Sequence, residues 1–407
     1  MSAIELQVGL SRWAFQIADG CLVTPVPRMP AGSAVGDVRA AVRDALDHPL
    51  RLDFPLRRAM TPDDRIALVI DEQLPRVGEL VTGALEYLAS AGIGPQSVTL
   101  LTAPGPTASQ EWIDDLPDEF ADVHTEVHQP ADRKLLSYLA TSKQGRRIYL
   151  NRTLIDADQI VSISGRRCDP QLGYAGCEGI LYPALSDTET RRALGDKLSL
   201  AVPVEEPHGA RAEAAEIAWL LGSPIYIQVI EGAGDEIAIV RAGLIDSSGA
   251  GIRLHDDRWR FSITEPVDVV LAAIAGDPAR LDFSAFARAA ACAARAVKDN
   301  GAIVILSEGE PAFGEGVAML RGCDSPEVAS KMLHELKPAD RADAFQWLTT
   351  ATKARIYLAS GLNPEIVEEI FATPILSPAE AQRLVDSSGT CLVLPDANKS
   401  LVVIETG

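Results

Sequence analysis

The chain alternates short apolar runs with longer stretches in which apolar residues recur every three or four positions. Residues 65–71 (RIALVID), 98–104 (VTLLTAP) and 159–165 (QIVSISG) are continuous apolar runs that close on polar or turn residues. Such runs mark strands buried on both faces of a parallel sheet. Between the first two, Val77, Leu80, Val81, Ala84 and Leu88 fall at helix spacing, and Gly92 is placed to end the helix. A second alternation follows Pro266, with strands expected at 267–275, 302–307 and 354–360. Within it, Phe286, Ala290, Ala293, Ala294 and Val297 form one apolar stripe of a helix, and the segment ends at Asn300 and Gly301.

Residues 226–263 carry strand-like residues between glycine-rich or charged turns and read as a small antiparallel element. The first 25 residues read as a hairpin and 38–47 as a short helix. The expectation is an α/β protein of two domains, residues 1–265 and 266–407, with a cleft between them. A length of 407 residues fits that division, because one core rarely serves so long a chain.

Charge narrows the partners. A net charge of -20 opposes the phosphate attraction behind nucleic-acid and anionic-membrane binding, so neither partner is expected. The expected partner is a small anionic organic molecule, which local arginines can hold inside one cleft; self-association stays open. Six cysteines without a CxxC pair, and no basic-then-apolar leader, read as a cytoplasmic protein with reduced thiols.

Candidate chemistry gathers around Gly173–Gly179 (GYAGCEG), a glycine loop after a buried strand, where α/β proteins bind ligands. Arg152, Arg166 and Arg167 lie near it in sequence, either as anion ligands or as ion pairs with Asp156, Asp158 and Glu178. Cys168, Asp169, Cys177 and Glu178 bracket it without any metal-site spacing. For His124, His128, His208 and His255 the structural reading outweighs the functional one. The segment 307–316 (SEGEPAFGEG) reads as a flexible cleft loop, since it lacks a GxGxxG pattern and a P-loop lysine.

Four stretches, IALVIDEQLPR, LLTAPGPTASQEW, residues 141–183 and residues 354–381, taken in that order, resemble the nickel-dependent lactate racemase family. IALVIDEQLPR stands where the family has D-x-T-R-P, and LLTAPGPTASQEW where it has G-T-H-R. The block from Thr141 to Pro183 contains the counterpart of its G-Y-S-G-G-x-K loop, and the block from Ala354 to Ala381 matches its C-terminal region. The resemblance implies two α/β domains and 2-hydroxy acid racemisation or epimerisation. In the family a lysine of the glycine loop carries a nickel-pincer nucleotide that accepts hydride.

Carried over residue by residue, that lysine falls on Gly179, the two catalytic histidines on Gly105 and Asp169, and the nickel-ligating histidine on Gly195. The substrate-clamping arginine falls on Leu74, two residues before Arg76, and a second-domain lysine on Ala279, beside Arg280. Asp71 is retained. Racemisation by hydride transfer needs a base on each face of the carbon, and a glycine supplies neither base nor anchor. No cofactor is therefore assigned, and the expected loop contacts for any cofactor are Gly173, Tyr174, Ala175 and Gly176.

The candidate catalytic residues are Asp71 and Asp169, and the candidate substrate contacts Arg76, Arg167, Tyr174 and Glu178. Whether the chain is an enzyme stays open. Three readings stand: a divergent ligand-binding member with the nickel chemistry lost, an active racemase or epimerase whose cofactor is noncovalent or anchored elsewhere, and a non-catalytic partner-binding protein.

Overall fold

The computed structural model describes residues 2–27, 34–105, 111–207 and 209–405. Pro106, in the turn after the second strand, and His208 lie outside them. Two six-stranded sheets organise the chain. The first runs in the order 237–243, 225–231, 159–165, 66–70, 98–102, 124–127. Its strands are parallel except for the edge strand Ile237–Gly243, which pairs antiparallel to Ile225–Glu231. The second runs 372–374, 355–359, 297–306, 267–273, 391–394, 22–23, all parallel.

The apolar runs become the central strands because a parallel strand covered on both faces leaves no polar side to expose. Every residue of Ile66–Ile70 is buried. Helices Val38–Asp47 and Val77–Ser90 cover one face of the first sheet, and Cys177–Leu181 with the helix spanning 209–220 covers the other. At the first of these, a side chain on Gly83 would meet the Arg39 carbonyl at 2.9 Å, so glycine sets how closely the two helices approach. Gly92, at φ +86°, ends Val77–Ser90 as its position in the sequence suggests.

The alanine-rich helix Phe283–Ala296 packs on the second sheet with Arg341–Lys353. It is capped by Asp282, which accepts from the Ala285 amide at 3.2 Å. The helix stops short of its expected end: it closes at Ala296, and Val297, Asn300 and Gly301 already belong to the strand Val297–Leu306.

Two expectations change. Residues 226–263 do not make one small element: 225–231 and 237–243 edge the first sheet, whereas Arg260–Ile263 pairs with Leu401–Ile404 and Val26–Pro27 in a separate sheet. Between them lies the helix Ser248–Trp259, whose buried Ile252, His255, Asp256 and Trp259 recur at helix period beneath a glycine-rich composition. The hairpin Ser2–Val8 and Ser11–Ile17 forms as expected, but its Leu6, Val8, Phe15 and Ile17 pack with Val269, Leu271 and Val304 of the second sheet. Among the described residues, no helix is long and apolar enough to cross a membrane.

Candidate functional site

A cavity of about 920 Å³ opens where the carboxyl ends of both sheets face each other. From the first sheet it is lined by residues after the strands Ile66–Ile70 and Val98–Thr102, among them Asp71, Leu74 and Gly105. From the second it is lined by residues after Val267–Ala273 and Val297–Leu306, and by the start of the helix Arg341–Lys353. Side chains do not fill it. Leu74 lies on its wall, and Tyr182 is buried elsewhere with its hydroxyl donating to Glu213 at 3.0 Å.

Asp71 lines the cavity and is held from behind. It accepts from the Gly165 amide at 3.1 Å and pairs with the Arg167 guanidinium at 3.1 Å. Arg167 also reaches Glu231 at 3.3 Å and donates to Gln73 at 2.8 Å. Burial works against its charge, but the Asp71 and Glu231 carboxylates outweigh that cost and hold the guanidinium above its ordinary range. Arg167 therefore orients Asp71 and does not itself line the cavity. Arg76 does line it, yet its guanidinium is engaged by Glu79 at 2.6 Å.

The glycine loop behaves differently from expectation, because Gly173, Tyr174, Ala175, Gly176 and Glu178 do not line the cavity. Tyr174 is buried and donates its hydroxyl to Asp256 at 2.7 Å. Asp169 accepts the amides of Gln171 at 2.8 Å and Leu172 at 2.6 Å, closing the turn between Arg167–Asp169 and Gly173–Ala175, and burial raises its proton affinity. Glu178 turns inward to Arg166 at 2.8 Å, with side chains 5% and 0% exposed. Of the arginines near the loop, Arg166 and Arg167 thus form buried ion pairs, and Arg152 is exposed and donates to Ser137 at 3.4 Å. Asp158 pairs with Arg65.

The remaining polar groups near the loop are internal. His128 meets the Ser186 carbonyl at 2.9 Å, and His255 meets Asp256 at 3.2 Å, both buried. Burial pushes the Cys168 and Cys177 thiols up to about 12. Among the described residues, no group of three His, Cys, Asp or Glu is placed to hold a metal.

The Glu178 pairing has a pH signature. Burial alone would raise its carboxyl, but Arg166 and Ser248 outweigh burial and hold it below the ordinary glutamate value. A depressed folded-state value stabilises the fold above the unfolded value and loses that contribution as pH falls through the folded one. The stability gap between wild type and Glu178→Gln is therefore expected to be full at about pH 7 and to close below about pH 4. Urea unfolding along a pH series measures it, and a gap that widens on acidification contradicts the assignment.

Sequence reasoning missed the two most telling groups. Arg191, in the helix Thr188–Leu194, lines the cavity half-buried, and its side chain makes no hydrogen bond or ion pair with another described residue; burial lowers its proton affinity. Asp343, half-buried on the opposite wall, also has a carboxylate without such a partner, and burial and Asp282 push its proton affinity well up. Neither stands in a motif. Only their placement shows that they are unpaired.

Of the positions that the family resemblance assigns to the reaction, only some lie at this cavity, and Asp169 does not. Leu74, Gly105 and Ala279 line it, Gly179 precedes the lining residue Ile180, and Gly195 lies one helical turn beyond Arg191. A side chain on Gly179 would meet Leu172 at 2.6 Å, and one on Gly195 would run into the guanidinium of Arg341.

Comparison with known proteins bears on the fold. Residues 9–194 match the family described as the lactate racemase N-terminal domain. The fold is similar to that of the lactate racemase apoprotein from Thermoanaerobacterium thermosaccharolyticum, with TM-score 0.78 and 18% identity, covering 99% of this chain and 100% of that one. It is also similar to a Thermotoga maritima protein, with TM-score 0.68 and 13% identity, covering 91% of this chain and 99% of that one. No curated protein sequence matches the chain. Residues 9–194 thus match the lactate racemase N-terminal domain, and the fold as a whole is similar to that of the lactate racemase apoprotein.

Proposed function

We propose that this protein is a divergent member of the lactate racemase family that binds a small organic ligand, a 2-hydroxy acid or a related compound, by an anionic group in the cleft between its two domains. The observation that carries the reading is Arg191, a cavity-lining guanidinium with no hydrogen-bond or ion-pair partner among the described residues. A desolvated guanidinium without a counter-ion gains most from a carboxylate or phosphate, which matches its planar fork with two parallel hydrogen bonds. Asp71, fixed by Arg167 and the Gly165 amide, presents a second oriented polar group on the same wall.

The nickel-pincer nucleotide of the family does not fit these residues. Gly179 offers no amine for its covalent anchor, Gly105 no imidazole, and the space at Gly195 is taken by Arg341. The reading therefore includes no hydride-transfer step.

Calorimetric titration with a panel of 2-hydroxy acids, sugar acids and phosphorylated acids tests the proposal. Members that bind are expected to lose about 10- to 100-fold in affinity in Arg191→Met, the range for one charge-assisted pair. If a well-folded protein binds none of them, the proposal is wrong.

A further inference from the structure

Arg191 and Asp343 belong to opposite walls of the cavity, one beyond the first sheet and one beyond the second. A contact between neighbouring residues joins the two walls. Arg341, two residues before Asp343, donates to the carbonyl of Arg192, the residue after Arg191, and pairs with Asp196 at 3.4 Å. Yet the two opposite charges do not pair with each other. Other partly buried charged groups on the lining are satisfied within the chain: Asp71 by Arg167, Glu72 by Trp112, Arg76 by Glu79. Asp282 accepts from Ser284 at 2.5 Å, and Asp340 from the Gly316 amide at 2.7 Å. What the cavity leaves without a hydrogen-bond or ion-pair partner among the described residues, and withdrawn from solvent, is one guanidinium and one carboxyl group.

Resting on the reading that the cleft holds an organic acid, we propose that its ligand is a zwitterion of the amino-acid class, with its carboxylate on Arg191 and its ammonium on Asp343. A simple hydroxy acid satisfies Arg191 and leaves Asp343 facing a hydroxyl. An ammonium satisfies both ends. The surrounding field favours the same choice, since nine carboxylate side chains line the cavity against three guanidiniums. Such a field stabilises a ligand ammonium and opposes a ligand carrying only negative charge. A ligand ammonium also offsets the rise in proton affinity that burial and Asp282 give Asp343, and so holds its carboxyl in the charged form.

The test uses pairs of compounds that differ only in the α-substituent: alanine with lactate, aspartate with malate, serine with glycerate, each as both enantiomers, titrated calorimetrically into the full-length protein. The amino member of at least one pair is expected to bind about tenfold or more tighter than its hydroxy partner. Asp343→Asn is expected to remove that preference, weakening the amino acid about tenfold while leaving the hydroxy acid within about threefold. Equal or tighter binding of the hydroxy members overturns the zwitterion and leaves the cleft reading standing. Binding of neither member of any pair, and of nothing in the wider acid panel, overturns the cleft reading itself. The wild-type comparison decides between these outcomes even if the variant does not fold.

Discussion

Arg166→Met is expected to cost roughly 3–5 kcal/mol of folding stability, the range for breaking a buried ion pair by removing one partner. Arg166 is fully buried, and its guanidinium is the hub of a closed network. It donates to Glu178 at 2.8 Å, to Gln228 at 2.7 Å and 3.0 Å, and to the Ser248 hydroxyl at 3.1 Å. Methionine fills much of the volume but leaves the Glu178 carboxylate without its countercharge in a site that water does not reach. Ser248, which donates to the same carboxylate, offsets only part of that loss.

The double variant Arg166→Met with Glu178→Leu is expected to recover most of the stability, because it removes both charges together. Urea unfolding of the three proteins measures the cycle. A single-variant loss below about 1 kcal/mol, the range of exposed pairs, would show that the pair is not buried in solution.

That network also explains why the glycine loop misled the sequence reading. A loop after a buried strand is a good place for a ligand, and GYAGCEG has the spacing for one. In the fold the loop wraps around Arg166: a side chain on Gly176 would run into that guanidinium. Gly176 makes room for an internal cation, and Tyr174 and Glu178 turn inward. Nothing in the order of residues distinguishes a loop that cradles a ligand from one that cradles an arginine of its own chain.

The fold was more legible than the site. Strands such as 66–70 and 159–165 could be read because continuous aliphatic runs have few other stable placements, and Gly92 because its left-handed backbone suits glycine. The helix Ser248–Trp259 was hidden by its glycines, although Ile252, His255 and Trp259 keep helical spacing. That the first hairpin packs on the second sheet is a long-range fact with no local signal. Asp71 was found because a strand-end carboxylate survives in the family pattern. Arg191 and Asp343 matter because of partners they lack, which no local pattern records.

Gly195→His is expected to lower stability by about 2–3 kcal/mol and to create no nickel site. The resemblance places the family's nickel-ligating histidine here, yet any side chain at this position meets the Arg341 guanidinium. Arg341 is buried, donates to the Arg192 carbonyl and pairs with Asp196, so a histidine must evict a guanidinium that has satisfied partners. Overpacking of this kind costs typically about 1–3 kcal/mol, and losing a hydrogen bond to a charged group adds to it. Arg341→Ala in the Gly195→His background removes the clash and is expected to restore part of the loss, so the two effects should be strongly non-additive. Thermal and urea unfolding of both single variants and the double variant give the coupling, and metal analysis after dialysis against nickel gives the second readout. Additive losses would show that Arg341 does not occupy the histidine's place, and stoichiometric nickel in Gly195→His alone would show that the other ligands of a metal site are still present.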